Sequence, residues 1–214
     1  MNTKLLTLAL VAAAASAGTA AASNSATLDV SVTLTPSPCS IDLDRNGEVV
    51  LPQVMSKDLS ATAPTALGKA EIGLNVACTA ATRVALRVVD NQANTVAAAA
   101  VGTAFAGATV AQAYGLGTTP KGNIGAYVLA LKDGMADSAS TSFIASDDGS
   151  AWNAASVLQP RNRLTTWSTG GTPLSVTNAQ ATLEINAAVV GTNDLDLTSA
   201  VNASGSATIE LFYL

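Results

Sequence analysis

The chain has 214 residues, 12% of them charged, with 10 Lys and Arg against 15 Asp and Glu and a net charge of −5. The basic residues are scattered apart from the short pairs Arg83/Arg87 and Arg161/Arg163, so no basic stripe offers itself to nucleic acid. Histidine is absent, which removes Ser-His-Asp and Cys-His catalysis and the common zinc sites, and a 49% apolar content is too high for a disordered chain.

At the N-terminus, Lys4 precedes an apolar run from Leu5 to Ala15, and Ala20 and Ala22 fit an A-x-A-like cleavage rule before Ser23. Residues 1–22 therefore read as a secretory signal, which leaves one domain in Ser23 to Leu214. Leu28, Val30, Val32 and Leu34 then alternate with Asp29, Ser31 and Thr33 as a short strand. Pro36 and Pro38 cut that strand off, because proline cannot donate to a ladder.

Cys39 and Cys78 are the two cysteines, so an exported chain is expected to join them in one bridge. Closing that loop stabilises a fold by roughly 4 kcal/mol on the chain-entropy model. Asp42-Leu43-Asp44-Arg45-Asn46-Gly47 matches the first half of a calcium loop, D-x-D-x-N-G. Gln53 stands where the bidentate glutamate belongs, and prolines occupy the place of the entering helix, so a polar turn with Asn46-Gly47 at its tip is favoured.

Ile72, Leu74, Val76 and Cys78 alternate, followed by Val84, Leu86 and Val88. Ala93 to Ala113 is alanine-rich, but Gly102 and Gly107 break any long helix, which leaves a short helix or a loose strand pair. The glycines of Tyr114-Gly115-Leu116-Gly117 lack the third glycine of a dinucleotide fingerprint, and Gly68-Lys69 lacks the upstream glycine of a phosphate loop.

Asn123 to Leu131 and Thr182 to Val190 read as strands, whereas Ser138 to Gly171 reads as long loops with a turn at Asp147-Asp148-Gly149. Trp152 and Trp167 could stack on sugars, although burial is the commoner fate of a tryptophan in a β-protein. Asp194 and Asp196 read as solvated loop residues with no acid–base partner nearby in sequence. Finally, Ala207, Ile209, Leu211 and Tyr213 alternate with Thr208, Glu210, Phe212 and Leu214 in a closing strand.

Short strands separated by Gly, Asn, Asp and Pro clusters predict an antiparallel sandwich or barrel. Pattern alone leaves two readings of the ends: both strands pair internally, or both are edges that invite another chain.

The stretches VTLTPSPC (Val32 to Cys39), LNVACTAATRVALRVVDN (Leu74 to Asn91), YGLG (Tyr114 to Gly117), IGAYVLAL (Ile124 to Leu131) and the closing GSATIELFYL with Tyr213 carry a resemblance. Together with the export signal, they resemble subunits of chaperone–usher fimbriae. That resemblance implies an all-β fold, an incomplete immunoglobulin-like β-sandwich lacking its last strand, with a free N-terminal donor strand. Residues 23–38 would be the donor-strand extension and 39–214 the pilin domain. Leu28, Val30, Val32 and Leu34 would enter a neighbour's groove, and Ala207, Ile209, Leu211 and Tyr213 would line this subunit's own. The implied partners are a periplasmic chaperone anchored at the terminal carboxylate, an outer-membrane usher, neighbouring fimbrial subunits and a host or other surface receptor. Cys39–Cys78 would tie the first body strand to the next, no cofactor is implied, and the subunit would pass through the periplasm to an extracellular fimbria.

Three other classes compete. A sugar-binding tip adhesin resembling those of the same fimbriae would place a lectin domain where the extension stands. A small outer-membrane barrel needs aromatic girdles, but aromatics are 4% here and Glu210 interrupts one face of the last strand. A secreted enzyme is the weakest, for want of a catalytic motif.

Overall fold

The structure, a computed structural model, describes residues 38–214. The signal expected over 1–22 and the alternating segment with Leu28, Val30, Val32 and Leu34 lie outside the described residues. In chain order the main elements are β1 (Cys39–Leu43), β2 (Thr65–Asp90), α1 (Ala98–Ala104), β3 (Ala113–Gly115), β4 (Gly125–Ala136), β5 (Ser142–Ser146), β6 (Val157–Leu158), β7 (Leu164–Thr169), β8 (Ser175–Val189) and β9 (Ala207–Tyr213). These strands form a curled antiparallel sheet, so the all-β expectation holds.

Strand β2 is the spine. Its first half pairs with β1 on one side and β8 on the other, and β8 continues to β4, which carries β3 and β6 on its far edge. The second half of β2 pairs with β9 and β7, and β7 continues to β5. Between the halves, Val176 faces Thr82 but Asn178 faces Ala77, so residues 78–81 find no partner on β8. Such an irregularity bends the bulged strand, and here it joins the two alternating runs of the sequence into one strand. Ile72, Leu74 and Val76 from one half and Val84, Leu86 and Val88 from the other enter a common core.

Strand β4 is buried from Gly125 to Leu131 because it has cover on both faces. Tyr127, Leu129 and Leu131 face the main core. Ala126 and Val128 face a second core with Ala97, Ala100 and Val101 at α1 and with Ala188 and Val189 of β8. The alanine-rich stretch thus yields the short helix of the two options, and its small side chains let α1 lie close on the sheet.

The Ser138–Gly171 stretch corrects its reading as long loops: it holds β5, β6 and β7. The signal was hidden because Thr165, Thr166 and Ser168 of β7 are polar yet buried. Thr166 answers part of that cost by donating to the Val84 carbonyl at 2.6 Å. Trp167 is 1% exposed and donates its indole N–H to the Gln180 carbonyl at 2.8 Å, which ties β7 to β8. It belongs to the core and has no free face for a sugar. The turn expected at Asp147-Asp148-Gly149 is present, with the Asp148 carboxylate accepting the Ser150 and Ala151 amides at 2.8 and 3.0 Å.

Candidate docking edge

Alternation in GSATIELFYL makes β9 a strand whose two faces differ. On the outer face Glu210 lies directly opposite Arg87, and the guanidinium donates to one carboxylate oxygen at 3.0 and 2.8 Å. The same guanidinium stands 5.7 Å from the centroid of the Phe212 ring. A half-exposed pair of this kind is worth at most about 1 kcal/mol. Its main effect is to pin register, since a one-residue slip would turn Ile209 and Leu211 outward.

On the inner face Ala207, Ile209 and Leu211 pack against the main core but stay only partly buried. The contrast with β7, on the other flank of β2, is instructive: there Leu164 to Ser168 are all buried, under the cover of β5. Strand β9 pairs with β2 and, among the described residues, with no other strand. Among the described residues no strand covers its outer backbone edge or the flanks of its inward side chains. Phe212, Tyr213 and Leu214 follow at 40%, 38% and 42% exposure, and Ile41, Leu43, Val49 and Leu51 are further half-buried apolar residues on the same core.

Both ends of β9 are fastened. At the C-terminal end the Tyr213 hydroxyl accepts the Cys39 amide proton at 3.0 Å, and the Leu214 amide donates to the Arg83 carbonyl at 3.1 Å. Tyr213 shares the parity of Ala207, Ile209 and Leu211 but is exposed and reaches toward β1. Beside it the expected bridge exists: Cys39 and Cys78 are disulfide-bonded, directly opposite each other on β1 and β2.

At the N-terminal end two glycine motifs meet. Ser204 donates to the Leu116 carbonyl at 3.2 Å, and Asn91 donates to the Ser206 carbonyl at 3.0 Å. A Cβ on Gly205 would come within 2.3 Å of Tyr127 Cε1, and one on Gly115 within 2.4 Å of the Gln92 carbonyl. Asp90, 8% exposed, accepts the Gly115 amide at 3.0 Å and the Gln92 amide at 2.9 Å. Tyr114 stacks on Tyr127 with centroids 5.1 Å apart and donates to the Leu158 carbonyl. Burial, with Asp90 nearby, pushes both phenols well above the ordinary tyrosine range, so both stay neutral, Tyr114 as a donor and Tyr127 as its stacking partner.

Asp42-Gly47 forms a turn in which Arg45, Asn46 and Gly47 take φ of 53°, 54° and 75°. Asp44 turns its carboxylate onto the edge of β2, where it accepts the Gly73 amide at 3.1 Å. Among the described residues no group of three or more His, Cys, Asp or Glu is placed to hold a metal ion.

An open groove of about 670 Å³ lies between β4 and β5, lined among others by Lys132, Asp133, Met135, Thr141 and Phe143. Its lysine is already engaged, with Glu184 at 3.0 Å and Glu71 also in contact.

Sequence reasoning missed the Arg87–Glu210 and Asp90–Gly115 contacts. Neither could be found without the register that places residues so far apart in sequence side by side. Residues 28–128 are similar to a family described as a protein of unknown function (DUF1120), a match that includes both cysteines and YGLG and ends inside β4, before β9. Comparison with curated proteins returns no match.

Proposed function

We propose that this chain is a structural subunit of a surface fimbria that polymerises by strand addition along β9. The observation that carries the reading is the half-open state of that strand: one edge paired to β2, the other without a strand partner among the described residues, and Ala207, Ile209 and Leu211 only partly buried. In this reading the fold is an immunoglobulin-like sandwich lacking its last strand. A periplasmic chaperone lends a strand to the open edge, and an outer-membrane usher exchanges it for the segment carrying Leu28, Val30, Val32 and Leu34 of the next subunit.

The physical argument is symmetrical. An unpaired edge exposes backbone donors and acceptors that another strand satisfies. Burying four apolar side chains of the donor contributes about 6–10 kcal/mol before ordering costs, at about 1.5–3 kcal/mol each. Trp167 is buried and offers no sugar platform, whereas Trp152 is partly exposed; what favours a shaft or adaptor subunit over a tip adhesin is the extension that stands where a lectin domain would be.

The test is co-expression of the full chain with and without its cognate chaperone, followed by addition of a peptide spanning residues 26–36. Soluble protein is expected only with the chaperone, and the peptide is expected to displace it and raise the melting temperature. A stable monomer without the chaperone, indifferent to the peptide, would overturn the proposal.

A further inference from the structure

A second sheet edge lies on β2, and the sequence treats it differently. The Thr79 amide donates to the Pro38 carbonyl, so the odd-numbered residues from Lys69 to Thr79, between the two register shifts of β2, present their backbone groups toward β1. The ladder runs from Cys39 opposite Cys78 to Leu43 opposite Leu74 and then stops. Residues 65–73 of β2 have no strand partner on that side among the described residues. This stretch without a strand partner is longer than β9 itself, and an edge of that kind can recruit a strand.

Immediately past the ladder the chain leaves β1 by the turn with three successive left-handed residues, Arg45, Asn46 and Gly47. That turn sends two side chains back to β2. Asp44 accepts the Gly73 amide at 3.1 Å, and Arg45 donates to the Glu71 carbonyl at 2.7 Å. These are the next two outward-facing residues after the ladder ends. Gly73 is matched to this contact, because a Cβ there would lie 2.4 Å from Asp44 Oδ2. Lys69, next along the edge, is charged, and lysine on an edge disfavours pairing.

We propose that Asp44 and Arg45 are an edge guard that occupies the backbone groups of β2 and confines strand addition to β9, the second half of which rests on the fimbrial reading above. Asp44 and Arg45 stand in for the strand that β1 would have continued. The half-match to a calcium loop thereby acquires a different role: its aspartate accepts from a backbone N–H of the sheet and its arginine donates to a backbone carbonyl.

The experiment compares the full exported chain with Asp44→Ala/Arg45→Ala, Asp44→Asn and Gly73→Ala, by amide hydrogen exchange and light scattering. The double variant is expected to exchange the Gly73 amide at least about tenfold faster, with the β8-paired amides of β2 unchanged. Asp44→Asn keeps an acceptor oxygen and is expected to retain wild-type protection, and Gly73→Ala, which displaces the carboxylate from the strand side, to lose it. The double variant is further expected to self-associate, and adding Lys69→Pro to suppress that association by removing an outward amide. Unchanged exchange at Gly73 would overturn the guard, as would faster exchange without association, or association that Lys69→Pro leaves intact. Failure of the fimbrial reading is seen separately: the chain then ignores the 26–36 peptide, whatever the exchange at Gly73.

Discussion

The hydroxyl of Tyr213 and the backbone amide of Cys39 are 174 residues apart in sequence and 3.0 Å apart in space. This bond closes the angle where β1 and β9 leave β2 on either side of its bend, next to the Cys39–Cys78 bridge. The end of the last strand is thereby referred to the beginning of the first. Tyr213→Phe removes the acceptor and keeps the ring. Because the tyrosine is 38% exposed, the expected cost is about 0.5–1.5 kcal/mol, read as a lower urea midpoint with the disulfide intact.

Half-burial of the inner face of β9 gives a graded expectation. Leu86→Ala, at a site with 0% exposure, should cost about 2–5 kcal/mol. Leu211→Ala, on a side chain only partly buried, should cost about half as much, about 1–2 kcal/mol. If a donor strand covers β9, the gap should narrow when the 26–36 peptide saturates the protein, because Leu211 is then as buried as Leu86. Thermal denaturation of both variants with and without peptide checks this, and an unchanged gap counts against the docking edge.

Gly205 sits where a methyl group has no room, 2.3 Å from Tyr127 Cε1 and 3.0 Å from the Gly115 carbonyl. Gly205→Ala must push the Tyr114–Tyr127 stack or lift the start of β9 away from it. Overpacking of this kind costs about 1–3 kcal/mol. Near-ultraviolet circular dichroism should report the displaced tyrosines, alongside a lower denaturation midpoint.

Glu184, on the outer face of β8, is one of the carboxylates that contribute to the acid limb of stability, together with Asp137, Asp148 and Asp196, which their hydrogen bonds also lower. Hydrogen bonds from Asn186 at 2.9 Å, then Lys132 at 3.0 Å and Lys69 at 3.3 Å, lower its carboxyl from the usual 4.5 to about 2. A depressed folded-state value means the contribution is complete above pH 4.5 and is lost as pH falls toward 2. Urea midpoints at pH 6, 4 and 2.5 should fall for the wild type, and the fall should be shallower for Glu184→Gln. Equal slopes would show that other carboxylates carry the acid limb.

Much of the sheet was legible because the period-two pattern is local. The alternation of Ile72 to Val88 and of Ala207 to Tyr213 announces strands before any neighbour is known, and two cysteines leave a single possible bridge, which the structure contains. Strand β7 was not legible: Thr165, Thr166 and Ser168 read as loop residues, and they are buried only because β2 and β5 flank them. Nor could the sequence say that two alternating runs are one bent strand, since the irregularity lies in the partner register between Val176 and Asn178.

By itself, then, the sequence determined the strands that alternate with period two, their apolar faces and which cysteines join, because these depend on neighbours along the chain. Tertiary structure alone decided that Arg87 answers Glu210, that Asp44 covers Gly73 and that, among the described residues, β7 has a strand on both sides while β9 has one. Those outcomes depend on register and on which strand lies alongside, and the physical reason is that a backbone edge looks the same in sequence whether or not another strand lies beside it.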